Sequence, residues 1–241
     1  MMTRVPLIEM RDVSVVYPNG TSALAEVNCT IEKGEFIFLV GPTGHGKSTL
    51  LRLIHRELLP AEGEVKVGGQ NTKRLSCRQV AFLRRRVGVV FQDFRLLAGR
   101  TLWENVAFAL RVTGAPHRQI HRLVPELLRS VGLYHKAESL PGEVSAGEQQ
   151  RAAIARALVN SPVILLADEP TGNLDAQTGW EIMKLLTEIN SSGTTVICAT
   201  HNQAIVDALR KRVITLSHGR IISDVAAGKY PTSAGVKARA S

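Results

Sequence analysis

The sequence predicts an α/β fold built on a parallel sheet, and three features of the chain carry that expectation. Two runs, 35–40 (E-F-I-F-L-V) and 163–167 (V-I-L-L-A), read as buried strands that lead straight into polar loops. Toward the end of the chain, apolar strands at 194–199 and 212–216 are interleaved with helical patterns at 176–190 and 202–209. That order places helices on both faces of a parallel sheet. The N-terminal part differs. Short alternating segments at 8–17, 26–31 and 63–67 suggest a small antiparallel sheet.

Between these halves, residues 94–161 hold helical patterns at 102–111 and 119–131, so a helical lobe inserted into the core is expected. The domain is expected to span 5–225, followed by a flexible basic tail at 226–241, rich in Ala, Gly, Ser and Lys. With 241 residues, 44% of them hydrophobic and 21% charged, the chain is long and apolar enough to bury a core. No apolar run approaches the roughly 18 to 20 residues that a membrane-spanning helix needs. The N-terminus lacks the apolar segment of a secretion signal, so the protein is expected to stay where it is made. Cys29, Cys77 and Cys198 are odd in number and widely spaced, which fits reduced thiols rather than a disulfide framework or zinc site.

The formal charge is +9, and the excess is concentrated. Lys73, Arg74, Arg78, Arg84, Arg85, Arg86, Arg95 and Arg100 face a single acid, Asp93, in the same stretch. Such a patch suits anionic headgroups, an acidic protein or nucleic acid, and it equally describes a solvated face. Charge alone does not choose.

The loop after the first buried strand is specific. Residues 41–49 read G-P-T-G-H-G-K-S-T, with Gly41, Gly46, Lys47 and Ser48 in the places of G-x-x-x-x-G-K-[ST]. Glycines let backbone N–H groups close around phosphate oxygens, and the helix that follows offers its N-terminus. Pro42, Thr43, Gly44 and His45 complete the loop, with His45 expected to face solvent. Lys47 is expected to reach the β- and γ-phosphates of a nucleotide, Ser48 to hold Mg²⁺, and Thr49 to lie near the α-phosphate. The second strand ends on two carboxylates, A-D-E-P. Asp168 suits magnesium. Glu169 suits the water that attacks the γ-phosphate, and general-base help of that kind is worth about 10² to 10⁴ in rate. The remaining barrier reduction falls to positioning and to charge from Lys47 and the metal.

Together these motifs, with V-S-A-G-E-Q-Q-R at 144–151, resemble the ATP-binding-cassette (ABC) ATPases over about residues 5 to 225. The resemblance implies a P-loop NTPase fold: a RecA-like core, an N-terminal antiparallel subdomain and an inserted helical subdomain. It implies MgATP as substrate and a homodimer that sandwiches two nucleotides. Ser145, Gly147 and Glu148 then belong to the signature that meets the γ-phosphate bound by the other copy, at the start of a helix expected over 149–159. Gln92 in F-Q-D matches the glutamine loop that touches the metal, and Asp175 in N-L-D-A the loop that crosses between copies. His201 in A-T-H-N matches the switch histidine on the γ-phosphate, and Tyr17 the ring that stacks on adenine. The signature departs from the family pattern at Val144 and Ala146. The extra methyl of Ala146 is expected to restrict the backbone, and Gly147 to be the position where a side chain would crowd the phosphate.

Further stretches (8–20, 83–97, 104–110 and 167–175) resemble the cell-division branch of the family. That branch implies an integral membrane partner, FtsX, contact with other cell-division proteins and a peripheral place on the inner leaflet at the division septum. Gln92, Phe94, Leu96 and Leu97 are candidates for one wall of the partner's docking cleft. A lipoprotein-releasing or export cassette would share the same chemistry. DNA-repair and chromosome-organising relatives carry long coiled coils between the two ATP motifs, whereas here about 120 residues separate Lys47 from Asp168 and none form heptads. No specific nucleic acid is therefore expected. A slow intrinsic ATPase is expected from the altered signature, and vigorous phosphate release by the isolated chain would contradict that.

Overall fold

The computed structural model describes residues 5–230, so most of the expected tail lies outside the described residues. The described residues form two compact units, 5–84 with 195–230, and 85–194. The expected helical segment, 94–161, lies inside the second unit, which also contains two strands and a further helix.

In the first unit, β1 (Ile8–Val16), β2 (Ser22–Ile31), β4 (Glu62–Val67) and the short β5 (Gln70–Asn71) form an antiparallel sheet in the order β2-β1-β4-β5. Its alternation is that of a sheet with one covered face, since Ile8, Met10, Val13 and Val15 are buried while Glu9, Arg11 and Ser14 are not. β3 (Phe36–Val40) is buried along its whole length. It pairs in parallel with β8 (Thr195–Ala199) on one side and β9 (Arg212–Ser217) on the other, and β10 (Arg220–Val225) returns antiparallel beside β9. Leu39 is opposite both Ala199 and Ile214, so the loops after β3 and β8 leave the sheet at one end. Arg212 fastens the outer strands, bonding both Glu35 (2.9 Å) and Asp224 (2.7 Å). Helix α1 (Lys47–Ile54) follows β3, α2 (Cys77–Arg85) closes the segment before β6, and α7 (Gln203–Leu209) follows β8. Arg84 in α2 donates to the carbonyls of Arg56 (3.0 Å) and His55 (3.4 Å), just past the end of α1. One arginine of the basic cluster is thus committed to the unit's own backbone.

In the second unit, β6 (Val87–Val90) and β7 (Ile164–Asp168) are parallel, with Val90 opposite Ala167. The helices α3 (Leu102–Val112), α4 (His117–Ser130) and α5 (Ala146–Leu158) pack around Val106, Leu110, Val124, Leu128, Ala152 and Ala155, and α6 (Ala176–Ser191) follows β7. Helix α5 starts three residues before the start read from sequence. Ser145 caps it, accepting from the Glu148 N–H, while the Glu148 carboxylate returns to the Ser145 N–H. That S-x-x-E box is visible in the sequence and sets the true boundary. Val144 is buried in the helical core, so its departure from leucine is a matter of packing volume.

Asn105, fully buried in α3, holds the loop before that helix. Its Oδ1 accepts from the Leu97 N–H (2.7 Å), and its Nδ2 donates to the carbonyls of Leu97, Arg100 and Thr101 (3.0–3.1 Å). Asn105→Leu strands these backbone groups, so urea unfolding is expected to show a loss of about 2 to 3 kcal/mol.

Candidate functional site

The glycine loop is shaped by contacts that leave no room for side chains. A Cβ on Gly41, whose φ is 140°, would collide with the Leu216 carbonyl oxygen, and one on Gly46 (φ 100°) would lie 2.5 Å from the Ala23 carbonyl oxygen. The loop is therefore pressed against β9 and β2, in a backbone conformation only glycine adopts without strain. Helix α1 then begins with Gly46 as N-cap, without a side-chain acceptor and with no acid in its first turn. A helix N-terminus that no side chain caps is a place where a phosphate can bind. Lys47 is buried, and its Nζ donates to the carbonyls of Gly41 (2.7 Å) and Pro42 (3.1 Å). Those bonds hold the ammonium at the mouth of the loop, where phosphate oxygens can replace the carbonyls. The residues present thus fit a nucleotide phosphate.

Tyr17, just past β1, bonds through its hydroxyl to that of Thr49 (3.0 Å). The ring expected on adenine is thus tied to the helix that opens on the phosphate loop. His45 does more than face solvent. Its Nδ1 accepts from the His218 N–H (3.0 Å), and the two rings lie 4.5 Å apart. Burial, together with the nearby His218 and Lys47, pushes its pKa down, which keeps Nδ1 an acceptor. Thr200 and His201 follow β8, and the Thr200 N–H donates to the Leu39 carbonyl (3.1 Å). The first unit accordingly brings Tyr17, residues 41–49 and His201 to one end of its strands.

The second unit does the same with a different set. Gln92 follows β6, and Asp168 and Glu169 end β7, at the same end of that parallel pair. Glu169 has φ 49°, a left-handed conformation uncommon for a residue with a Cβ and enriched at functional positions. The segment after it is clasped from two sides. Asn173 donates to the Gln92 carbonyl (2.9 Å), and the buried Gln150 of α5 donates to the Pro170 carbonyl (2.7 Å). Asp175 caps α6, accepting from the N–H (3.0 Å) and hydroxyl (2.6 Å) of Thr178, which lowers its pKa.

Two expectations about the signature change. A Cβ on Gly147 would strike the Thr178 methyl group, so the packing of α5 on α6 constrains this position in addition to the crowding of a phosphate expected from the sequence. Ala146 is the first residue of α5 and has no positive φ, so its methyl sits in a conformation that alanine favours. Glu148 carries out a capping task and also bonds Lys136 (2.6 Å). Gln150 and Arg156 are positioning residues whose role motif reading passes over, because each acts on a backbone carbonyl distant in sequence; Asn105 is a third, acting on carbonyls four to eight residues away.

A chain with these loops at the ends of parallel strands, and with the signature box on a capped helix, is an ATP-hydrolysing cassette. It belongs to the ABC transporter family, whose model matches residues 24–172. It is similar to the Cell division ATP-binding protein FtsE of Streptococcus pneumoniae serotype 2, with 52% identity over 93% of this chain and 97% of the relative. It is also similar to the Cell division ATP-binding protein FtsE of Mycobacterium tuberculosis, at 54% over 86% and 90%. Among solved structures it matches the dimeric post-hydrolysis state of the ATP-binding cassette MJ0796 bound to ADP and Pi, with TM-score 0.82 and 35% identity over 92% of this chain and all of that one.

Lys136 and the Ser145 N–H hold the Glu148 carboxyl at a pKa of about 2, below its ordinary 4.5. A depressed carboxylate stabilises the fold above its unfolded pKa and ceases to do so as the pH falls through its folded one. The stability difference between wild type and Glu148→Gln is expected to be full above about pH 5 and to close toward pH 2. Thermal unfolding of both proteins across that range checks it.

Proposed function

We propose that the chain is the cytoplasmic ATPase subunit of a cell-division assembly. It binds and hydrolyses MgATP as a sandwich of two copies and passes the movement to the integral membrane protein FtsX, which regulates cell-wall hydrolysis. One observation carries this reading: a phosphate loop with a buried lysine and a strand-end carboxylate pair, in a chain about half identical to FtsE proteins. Those relatives' names do not favour the lipoprotein-release or export reading.

In this mechanism Gly41 to Thr49 wrap the triphosphate, Lys47 takes the β- and γ-phosphates, and Tyr17 stacks on the base. Ser48, Asp168 and Gln92 would hold Mg²⁺, which would neutralise phosphate charge. Glu169 orients the attacking water and takes its proton as the bond from the γ-phosphorus to the bridging oxygen breaks. His201 contacts the γ-phosphate. Ser145 and the first N–H groups of α5 cover the nucleotide of the other copy, and Asp175 lies at the crossing between copies. Among the described residues no helix is long and apolar enough to cross a membrane. The basic stretch 73–100 faces an acidic partner surface or anionic headgroups, except where Arg84 binds its own backbone and where Arg95 and Arg100 pair with Asp93 and Glu104.

Turnover by the chain co-purified with its membrane partner tests the reading. Glu169→Gln is expected to lose about 10² to 10⁴ in rate, and Lys47→Ala to lose nucleotide binding as well. A wild type no faster than Glu169→Gln ends the enzyme assignment. Recovery of a partner lacking four predicted spans and a large extracytoplasmic loop ends the cell-division one.

A further inference from the structure

Arg156, near the end of α5, is half-buried, and among the described residues it forms no ion pair with a carboxylate. Its guanidinium donates instead to the carbonyls of Arg95 (2.5 Å) and Phe94 (2.8 Å). Those two residues follow Gln92 closely, and both are non-glycine residues in the left-handed region, with φ of 50° and 57°. Two such residues in succession are rare, because each brings its Cβ against its own backbone. Something must hold them there.

Their side chains account for part of it. The Arg95 guanidinium lies 3.8 Å from the centre of the Phe91 ring and bonds Asp93 (3.2 Å). Both interactions are local and exposed, so they fold the turn on itself without fixing where it lies. Asn105 fixes the far end of the loop at Leu97. Among the described residues, Arg156 supplies the hydrogen bonds that join the strained pair to α5. On the same helix Gln150 holds Pro170, the residue after Glu169. One rigid helix therefore carries the signature at its N-terminus and grips the segments after both Gln92 and Glu169.

A half-buried cation whose hydrogen bonds go to carbonyls is a costly way to fill space, since an apolar side chain of similar volume would give up less hydration. What the guanidinium adds is direction: a planar fork that two successive carbonyls can meet in only one arrangement. We propose that Arg156 is a positioning residue that locks the left-handed turn after Gln92 to the signature helix, so that the glutamine loop and the signature move as one body. The assignment rests on the reading of Gln92 and Ser145 given above.

The test uses the full chain and two readouts. Amide hydrogen exchange over 93–98 needs no nucleotide, and in Arg156→Met it is expected to quicken at least about tenfold. ATP turnover is expected to fall about tenfold in kcat with KM for ATP changed less than about twofold, because a misplaced loop costs rate more than binding. Arg156→Lys, which keeps a cation and donors but not the fork, should lie between. Adding Arg95→Gly to Arg156→Met should recover much of both losses, since glycine takes the left-handed conformation unaided. If Arg156→Met does not fold, Arg156→Lys with and without Arg95→Gly gives the same comparison. Unchanged exchange, unchanged kcat, or a loss that Arg95→Gly does not recover overturns the proposal. A wild type without turnover above Glu169→Gln would instead overturn the ATPase reading, leaving the exchange result to stand alone.

Discussion

The nucleotide end of the first unit depends on a steric constraint, the absence of space at Gly41 and Gly46. The carbonyl of Leu216 and that of Ala23 occupy the volume a side chain would need. The loop is thereby held against β9 and β2, and α1 starts where β3 ends without a capping side chain. Each consequence that matters follows from that close fit. The N-terminus of α1 stays uncapped by a side chain, Lys47 is drawn under the loop, and His45 is placed against the β9–β10 turn through His218. A loop of ordinary residues would satisfy its own donors and have nothing left to offer a phosphate.

The second unit relies on a different device. Helix α5 is pinned at its start by the Ser145–Glu148 box and by Lys136, and pressed onto α6 through Gly147. Along its length it reaches out through Gln150 and Arg156 to two loops that the sheet alone would leave free. Seen this way, Ala146 is a mild substitution. It stands in the first turn of a helix, where alanine costs less backbone entropy than the glycine usual in the family, and the tight position is the next one. A loss of turnover from this signature would have to arise at the nucleotide and not from strain within the chain.

The fold and the chemical groups were legible in the sequence for a common reason: both are written in local patterns. Buried strands read as unbroken apolar runs, the antiparallel sheet as alternation, and the phosphate loop as glycines at fixed spacing. β1, β4 and α6 therefore appear within a residue or so of where the pattern placed them. What was missed lies in long-range contacts. Helix α5 was started late because the apolar pattern was followed instead of the cap. β6 and β10 were passed over, one a four-residue strand inside a basic stretch and the other half-exposed and polar. Asn105, Gln150 and Arg156 carry no local signal, since a polar residue on a helix looks solvent-facing until the carbonyl it meets is known.

Arg212 and Arg156 show why that last class matters. Both are arginines partly drawn out of water, yet Arg212 faces Glu35 and Asp224, and its pKa is raised accordingly. Its charge is cancelled where it stands, and its task is to join strands. Arg156 has its charge left over, and burial lowers its pKa. It faces carbonyls of a backbone that is itself strained, close to a glutamine loop and on the same helix as the signature. Local rules are broken at Phe94, Arg95 and Glu169, all in the unit that carries Gln92 and the strand-end carboxylate pair. The phosphate loop meets its unusual dihedrals with glycine and carries no such strain. The loops after Gln92 and Glu169 therefore need a holder, and α5 supplies it through Arg156 and Gln150.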